Sequence, residues 1–371
     1  MQRLCSEFNL PLVEHCYSYF FWDGKKSSKR YRPGEWGLSR SSQTLFEGFK
    51  REFATFSKAQ KRALDELDWW TSLRNHNFQE QDLLRRDLMH STDFGESIRN
   101  TSAYVAATEY FESNDTDEMD LRIEGGNDRL IRALVRSIGA GKVYYRTPVR
   151  IVRQHRRAVV VAVDGHNQSF LGDACICTVP ARVLNDITWD PPLPEYQRDA
   201  ANSLQYARIM KTVLLYPERF WSTPPIGGFS VFSSAISDFC FESTYLQPGP
   251  EGIICCYAVG DKADDVASEP DDKLKYWITF DIAKSCHEPI DVARFARKAK
   301  IKRLPWQLRK HTQGAYALYR PGQWFTTRLQ LQQAHDRVYF AGEHLADWQG
   351  FMEGAVNTGE EAADKVTGAR G

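Results

Sequence analysis

No run of the chain reaches the roughly 18 consecutive apolar residues that a membrane-spanning helix needs. Its charges cancel, with 48 Lys and Arg against 48 Asp and Glu. The first absence argues against a helical membrane span. The second removes the basic field that draws nucleic acid or an acidic membrane surface, so neither is expected as a partner. Of the 8 cysteines, none forms a C-x-x-C pair and none stands at zinc-type spacing from a histidine, so no metal site is expected. Several lie in apolar runs, Cys175-Ile176-Cys177 and Ile253-Ile254-Cys255-Cys256-Tyr257, where a free thiol behaves as a small hydrophobe. Reduced structural thiols and a cytoplasmic location follow as expectations. The start of the chain lacks the charged segment and apolar run of a secretion signal. A phosphate loop is missing too: Gly139-Ala140-Gly141-Lys142 follows a helix, has Arg136 where the first glycine belongs, and continues with Val143 instead of Ser or Thr. No internal repeat or low-complexity tract stands out.

What is present suits an ordinary globular protein of about two domains: 371 residues, 42% hydrophobic and 26% charged. From about residue 40 to 112, Phe46, Phe49, Phe53 and Phe56, then Leu64, Leu67 and Trp70, recur at helical spacing among charges. Such a stripe predicts buried helix faces. Glu124-Gly125-Gly126-Asn127 leads into a helix through Leu130 to Val135, ending at Gly139 before an expected strand at Val143-Tyr144-Tyr145. Further strands are expected at Val149 to Val152, Ala158 to Val163 and Ala174 to Val179, with a helix starting after Pro180. The prolines at 191, 192 and 194 mark a boundary. Beyond them come a strand at Ile209 to Tyr216, a polar helix from Asp271 to Phe295, and a closing strand and helix from Val338 to Val366. Strands set among helical pieces predict an α/β fold, α+β in part, with interleaved domains.

Two features carry chemistry. Ala341-Gly342-Glu343-His344 and Gly350-Phe351-Met352-Glu353-Gly354-Ala355-Val356 join the last strand to an Ala-rich helix, and a backbone running through glycines into a helix N-terminus can present free N–H groups to a cofactor. Lys211 interrupts an apolar strand, where an ammonium is costly to bury without partners. A lysine at a strand edge, snorkelling to solvent, is an equally good reading of the periodicity alone. Tyr316, Phe351 and Trp306, on their own, read as packing residues.

The closing string, together with Gly125-Gly126-Asn127, Pro148-Val149, Thr178-Val179-Pro180, Pro191-Pro192-Leu193-Pro194, the segment from Lys211 to Phe220-Trp221, Trp306 and Gly314-Ala315-Tyr316, resembles the flavin amine oxidases, the monoamine oxidase group in particular. The resemblance runs in order from Leu4 to the last helix. It implies a glutathione-reductase-like FAD-binding domain interleaved with a mixed-sheet and helical substrate domain. The implied division is 1–120 for the helical part of the substrate domain, 121–188 for the FAD-binding domain, 189–312 for the substrate sheet and helices, and 313–371 for the FAD-binding domain again.

By the same resemblance Lys211 holds a water near flavin N5, while Tyr316 and Phe351 form two walls of an aromatic amine cage, Phe351 standing where the group has Tyr. Tyr257 matches a substrate-cavity aromatic and Trp306 a tryptophan near the flavin. Gly342 and Glu343 match the turn that contacts the FAD phosphate–ribose region. Met352 offers its backbone N–H to the flavin pyrimidine, and Val149 its backbone to the adenine. Ala315 replaces the cysteine that links flavin covalently, so noncovalent FAD is implied.

The family begins with a βαβ unit bearing GxGxxG, and this sequence has none, which makes the implied FAD domain N-terminally incomplete. The implied reaction oxidises an amine to an imine with O2, giving hydrogen peroxide. An L-amino-acid oxidase of the same family, and a catalytically inactive binding protein, are the alternatives. The sequence leaves homo-oligomerisation open.

Overall fold

The structure, a computed structural model, describes residues 1–14, 18–22, 29–31, 37–112, 121–164, 169–221, 229–233, 236–245, 247–286 and 289–368. The chain forms two compact units: Met1–Glu14, Asn114–Gln205 and Gln323–Gly371 in the first, His15–Ser113 and Tyr206–Gly322 in the second. No described helix is long and apolar enough to cross a membrane.

In the first unit, helix α1 (Gln2–Glu7) and strand β1 (Leu12–Glu14) join strand β4 (Leu121–Ile123) and helix α7 (Asp128–Ile138). β1 pairs antiparallel with β4, Leu12 opposite Ile123, and Leu4, Cys5, Leu10, Ile123, Leu130 and Ala133 pack into one core. A three-residue strand needs such a partner, so residues 1–14 group with 121–138 and not with the helices that follow them in sequence. Strands β5 (Val149–His155), β6 (Ala158–Val163) and β7 (Ser169–Gly172) form a meander, with β9 (Thr188–Asp190) parallel to β5 at its edge. Strand β8 (Cys175–Cys177) pairs in parallel with β17 (Val338–Phe340). Helices α8 (Glu195–Ser203) and α12 (Thr327–Leu331) complete this unit with α13 (Met352–Thr367). The buried Gln197 amide donates to the Gln333 carbonyl at 2.9 Å, which ties residues beyond the proline boundary to this unit. The unit limits therefore differ from the expected divisions at 120, 188 and 312.

One local expectation fails here, and one helix takes a tighter form. Val143-Tyr144-Tyr145 is not a strand: the chain makes a 3-10 turn at Ala140–Lys142, and Arg146 takes φ +56°. Tyr144 and Tyr145 are 57% and 72% exposed, and no described segment supplies a ladder partner for them. After Pro180 the chain forms a 3-10 helix, Ala181–Asp186, in place of an α-helix.

The second unit holds eight described α-helices, the first five being α2 (Arg40–Phe53), α3 (Lys58–Asp65), α4 (Trp69–Asn75), α5 (Glu80–Phe94) and α6 (Ala103–Glu112). Their starts are written in the sequence: Ser39, Ser57 and Asp68 each accept a backbone N–H at an N-terminus, Ser57 with Gln60 as a capping box. Replacing Ser57 by Ala should cost about 1 kcal/mol, measurable as a shifted denaturant midpoint with unchanged slope. Of the expected stripe, Phe49, Phe53, Leu64 and Trp70 are buried, and Phe46, Phe56 and Leu67 half-buried. Phe49 and Phe53 are 1% exposed, and Phe49, Trp69 and Phe111 pack with ring centroids 5.1 to 5.9 Å apart.

Strands β2 (Ser18–Trp22), β3 (Lys29–Tyr31), β11 (Ile209–Tyr216), β12 (Phe229–Ser233), β13 (Phe239–Glu242), β14 (Gly252–Val259) and β15 (Lys300–Pro305) form one mixed sheet in the order β15-β11-β14-β13-β12-β2-β3. Gln205–Tyr206 (β10) leads into β11, and Ala317–Leu318 (β16) lies later in the same unit. Because side chains alternate across a strand, Met210, Leu214, Tyr216, Cys240, Ile254, Cys256 and Ala258 line one face. They bury it against helices α9 (Gly260–Ser268), α10 (Asp271–Ser285) and α11 (Val292–Lys298). The helix expected from Asp271 to Phe295 is thus two. Pro289 separates them, lacking an N–H to continue the first, and Asp291 caps the second through the Arg294 N–H.

Candidate active site

The opposite face of that sheet is half-buried and holds Lys211, Tyr257 and Cys255. Lys211 lies opposite Tyr257 on β14 and Leu304 on β15, so it stands on an interior strand and the strand-edge reading is removed. Tyr257 lies opposite Phe239, and two residues along, Cys255 lies opposite both Val213 and Phe241. The Lys211 Nζ sits 4.8 Å from the centroid of the Tyr257 ring, with the Cys255 thiol as its other electrostatic neighbour. Burial acts to lower the lysine pKa, but the contacts with Cys255 and Tyr257 outweigh it and leave it above its ordinary value. Burial pushes the Cys255 thiol up to about 12, with Lys211 opposing that shift. At neutral pH the pair is therefore an ammonium beside a neutral thiol. Phe239, Phe241 and Tyr257 extend the face as three rings with centroids 5.6 to 6.3 Å apart.

Tyr257, Trp306, Ala315 and Tyr316 pack against a small core of Ala207, Ile209 and Val259. The segment bearing Tyr316 is pinned by backbone: the Ala207 N–H donates to the Tyr316 carbonyl at 2.7 Å, and the Ala315 N–H to the Ala207 carbonyl at 2.9 Å. The Tyr316 hydroxyl donates to the Thr92 carbonyl near the end of α5 at 3.1 Å. Tyr316→Phe should cost about 1 kcal/mol by removing that bond, read by thermal unfolding against the parent. Cys255, Phe239 and Phe241 were not singled out by sequence. Cys255 precedes Tyr257 by two residues, so a period-2 reading extended from Tyr257 would have found it.

In the first unit, β17 runs into Gly342, whose φ is +142°. A side-chain carbon there would stand 2.7 Å from the His344 ring, and burial lowers the His344 pKa to about 4. The Gly342 N–H donates to the Thr358 hydroxyl of α13 at 3.0 Å, tying the strand end to the helix. The Glu343 carboxylate accepts the Gly350 N–H at 2.7 Å and so closes the connecting turn. Phe351 is the N-cap of α13 and no side chain caps that end. Phe351 and Met352 are exposed. At Gly354 a Cβ would come within 2.6 Å of the Ala346 Cβ and the Trp348 carbonyl, so only glycine fits this close approach. Val149 is the exposed first residue of β5, opposite Val163.

Lys211, Tyr257, Trp306 and Tyr316 thus converge within one unit. Gly342, Glu343, Phe351 and Met352 share one turn of the other, where Val149 occupies a separate strand. In the first unit the start of α13, where Phe351 supplies no side-chain cap, can offer N–H donors to the acceptor edge of a flavin; in the second, Lys211 on its aromatic face is a proton-bearing group.

The chain is 25% identical over 292 residues to an L-amino-acid oxidase of Bothrops moojeni, a match covering 78% of this chain and 56% of that protein. It therefore spans little more than half the length of such relatives. Among solved structures it resembles putrescine oxidase bound to putrescine, with TM-score 0.83, 19% identity, and coverage of 99% of this chain and 85% of the other. Cyclohexylamine oxidase from Brevibacterium oxydans IH-35A aligns with TM-score 0.82 and 16% identity, over 99% of this chain and 84% of that one. These two likenesses show that the chain has the α/β fold of those oxidases. Residues 1–367 match the family described as flavin containing amine oxidoreductase, and the chain belongs to that family.

Proposed function

We propose that this chain is an FAD-dependent amine oxidase that converts a small-molecule amine to an imine, with O2 as acceptor and hydrogen peroxide as product. The observation that carries the reading is Lys211: an ammonium on an interior strand, beside Tyr257 and Cys255, with Trp306 and Tyr316 packed on the adjoining core. When bound, the flavin supplies the redox chemistry, accepting a hydride equivalent from the carbon that bears nitrogen and passing two electrons to O2. The protein's own groups orient and desolvate. Lys211 holds a water by its ammonium, and the rings of Tyr316 and Phe351 each offer a face to a cationic amine. The N–H of Met352, the indole of Trp306, the turn at Gly342 and Glu343, and the backbone of Val149 are the groups assigned to FAD. Ala315 supplies no thiol for a covalent link, so the flavin is noncovalent.

An L-amino-acid oxidase is the second reading, favoured by the relatives of that activity at 25% identity. The two separate in one experiment. The purified protein is expected to carry flavin that acid releases, to be bleached anaerobically by phenethylamine but not by phenylalanine, and to yield peroxide in air. Bleaching by phenylalanine alone would transfer the assignment to amino acids. An absorbance spectrum without a flavin band, from a protein that melts cooperatively, would sink both in favour of a non-flavin binding protein.

A further inference from the structure

We infer that Arg208, gripped by Glu96, Asp261 and Asp264, is a positioning residue that sets where the Tyr316 ring stands. The inference rests on the proposed role of Tyr316 as an aromatic wall, but its geometry is independent of that role. Arg208 lies on the chain between Ala207, which exchanges backbone bonds with Ala315 and Tyr316, and Ile209, where the Lys211 strand begins. Its Nε and Nη2 donate to Glu96 Oε2 at 3.0 and 2.8 Å. Its Nη1 reaches Asp264 at 2.9 Å and its Nη2 reaches Asp261 at 2.8 Å.

These partners come from two elements that are also fastened by backbone. Asp261 and Asp264 belong to the first turns of α9, whose Gly260 N–H donates to the Arg208 carbonyl at 3.0 Å. Glu96 directly follows Gly95, the residue that ends α5 at φ +66°. Thr92, one turn earlier in α5, accepts the Tyr316 hydroxyl. Tyr316 is therefore held at its backbone through Ala207 and at its hydroxyl through α5, and the Arg208–Glu96 pair joins the two anchorages into a closed loop. An exposed ion pair would do little, but the Glu96 side chain is only 9% exposed. Removing the guanidinium leaves a buried carboxylate without its cation beside two more carboxylates, a strongly unfavourable arrangement. Close approach is built in as well, since a Cβ on Gly260 would stand 2.5 Å from Glu96 Oε1.

The test uses the full chain with Arg208→Met, Tyr316→Ala and the double variant, and Arg208→Lys as a milder change should the methionine variant not fold. Hydrogen-exchange mass spectrometry should show at least tenfold faster exchange at the Ala315 and Ala207 amides in Arg208→Met, with α10 unchanged. In turnover, Arg208→Met should raise KM about tenfold with kcat within threefold, and should add nothing further in the Tyr316→Ala background. Losses that multiply in the double variant, or exchange at Ala315 that does not change, would overturn the inference. If the parent protein oxidises no amine while the exchange pattern appears, the functional reading fails and the positioning role stands.

Discussion

Lys211→Met is expected to slow amine-dependent flavin reduction by on the order of 10²-fold or more, the usual contribution of a positioned proton-handling group. The protein should remain folded and flavin-loaded. Methionine keeps an unbranched chain of similar length against Leu304 and the Tyr257 ring, its neighbours across β15 and β14. What disappears is the ammonium over the Tyr257 ring. Because the fold holds the lysine pKa above its ordinary value, losing the ammonium should lower the melting temperature modestly, so the rate is compared well below the unfolding transition of both proteins. Anaerobic stopped-flow monitoring of the flavin band separates reduction from reoxidation by O2. An unchanged reduction rate would remove Lys211 from the mechanism.

Gly95→Ala should destabilise the protein by about 2 to 5 kcal/mol, the sum of two costs. Gly95 has φ +66°, a left-handed conformation that costs a residue with a side chain about 1–2 kcal/mol. The added methyl would also overlap the Ala207 Cβ and stand 3.2 Å from both the Ala207 Cα and the Ile209 Cδ1. Ala207 and Ile209 are fully buried, and overpacking of this kind costs about 1–3 kcal/mol. Equilibrium denaturation measures the sum, and Gly95→Ala with Ala207→Gly isolates its parts by recovering the steric cost while retaining the dihedral one. A loss below about 1 kcal/mol would mean that α5 can withdraw from this contact, and with it that the grip on Tyr316 is loose.

How much was legible depends on how local each determinant is. Strands β6 and β11 have the expected ends, Ala158–Val163 and Ile209–Tyr216, because β6 is an unbroken apolar, β-branched-rich run and β11 is an apolar run broken only at Lys211-Thr212. Val143-Tyr144-Tyr145 has the same local preference but finds no ladder partner among the described residues, and a strand exists only through its partner. At Pro289, by contrast, the break between α10 and α11 is local, because the residue has no N–H to continue a helix. Lys211 drew notice because an ammonium amid Ile209, Met210, Val213 and Leu214 is anomalous in any fold. Its partner Cys255 was hidden, since the facing of a thiol in an apolar run is set by the register of β11 against β14. Glu343 is singled out by the resemblance as a cofactor contact, whereas its bond to the Gly350 N–H depends on the path of the turn. Arg208 was beyond reach of sequence alone, because its partners lie on two separate segments.

The sheet that carries Lys211 also sets a timetable for synthesis. Strands β12 and β2 lie side by side in parallel, Phe229 opposite Ser18, so β2 meets this neighbour only after roughly 210 further residues have been added, about 10 to 40 s at ribosomal speed. Until then β2 and β3 have only each other, a pair too small to persist in water. The long-range pairing makes slow maturation the expectation, and conditions that protect nascent chains, such as lower growth temperature or added chaperones, should govern the yield of soluble protein.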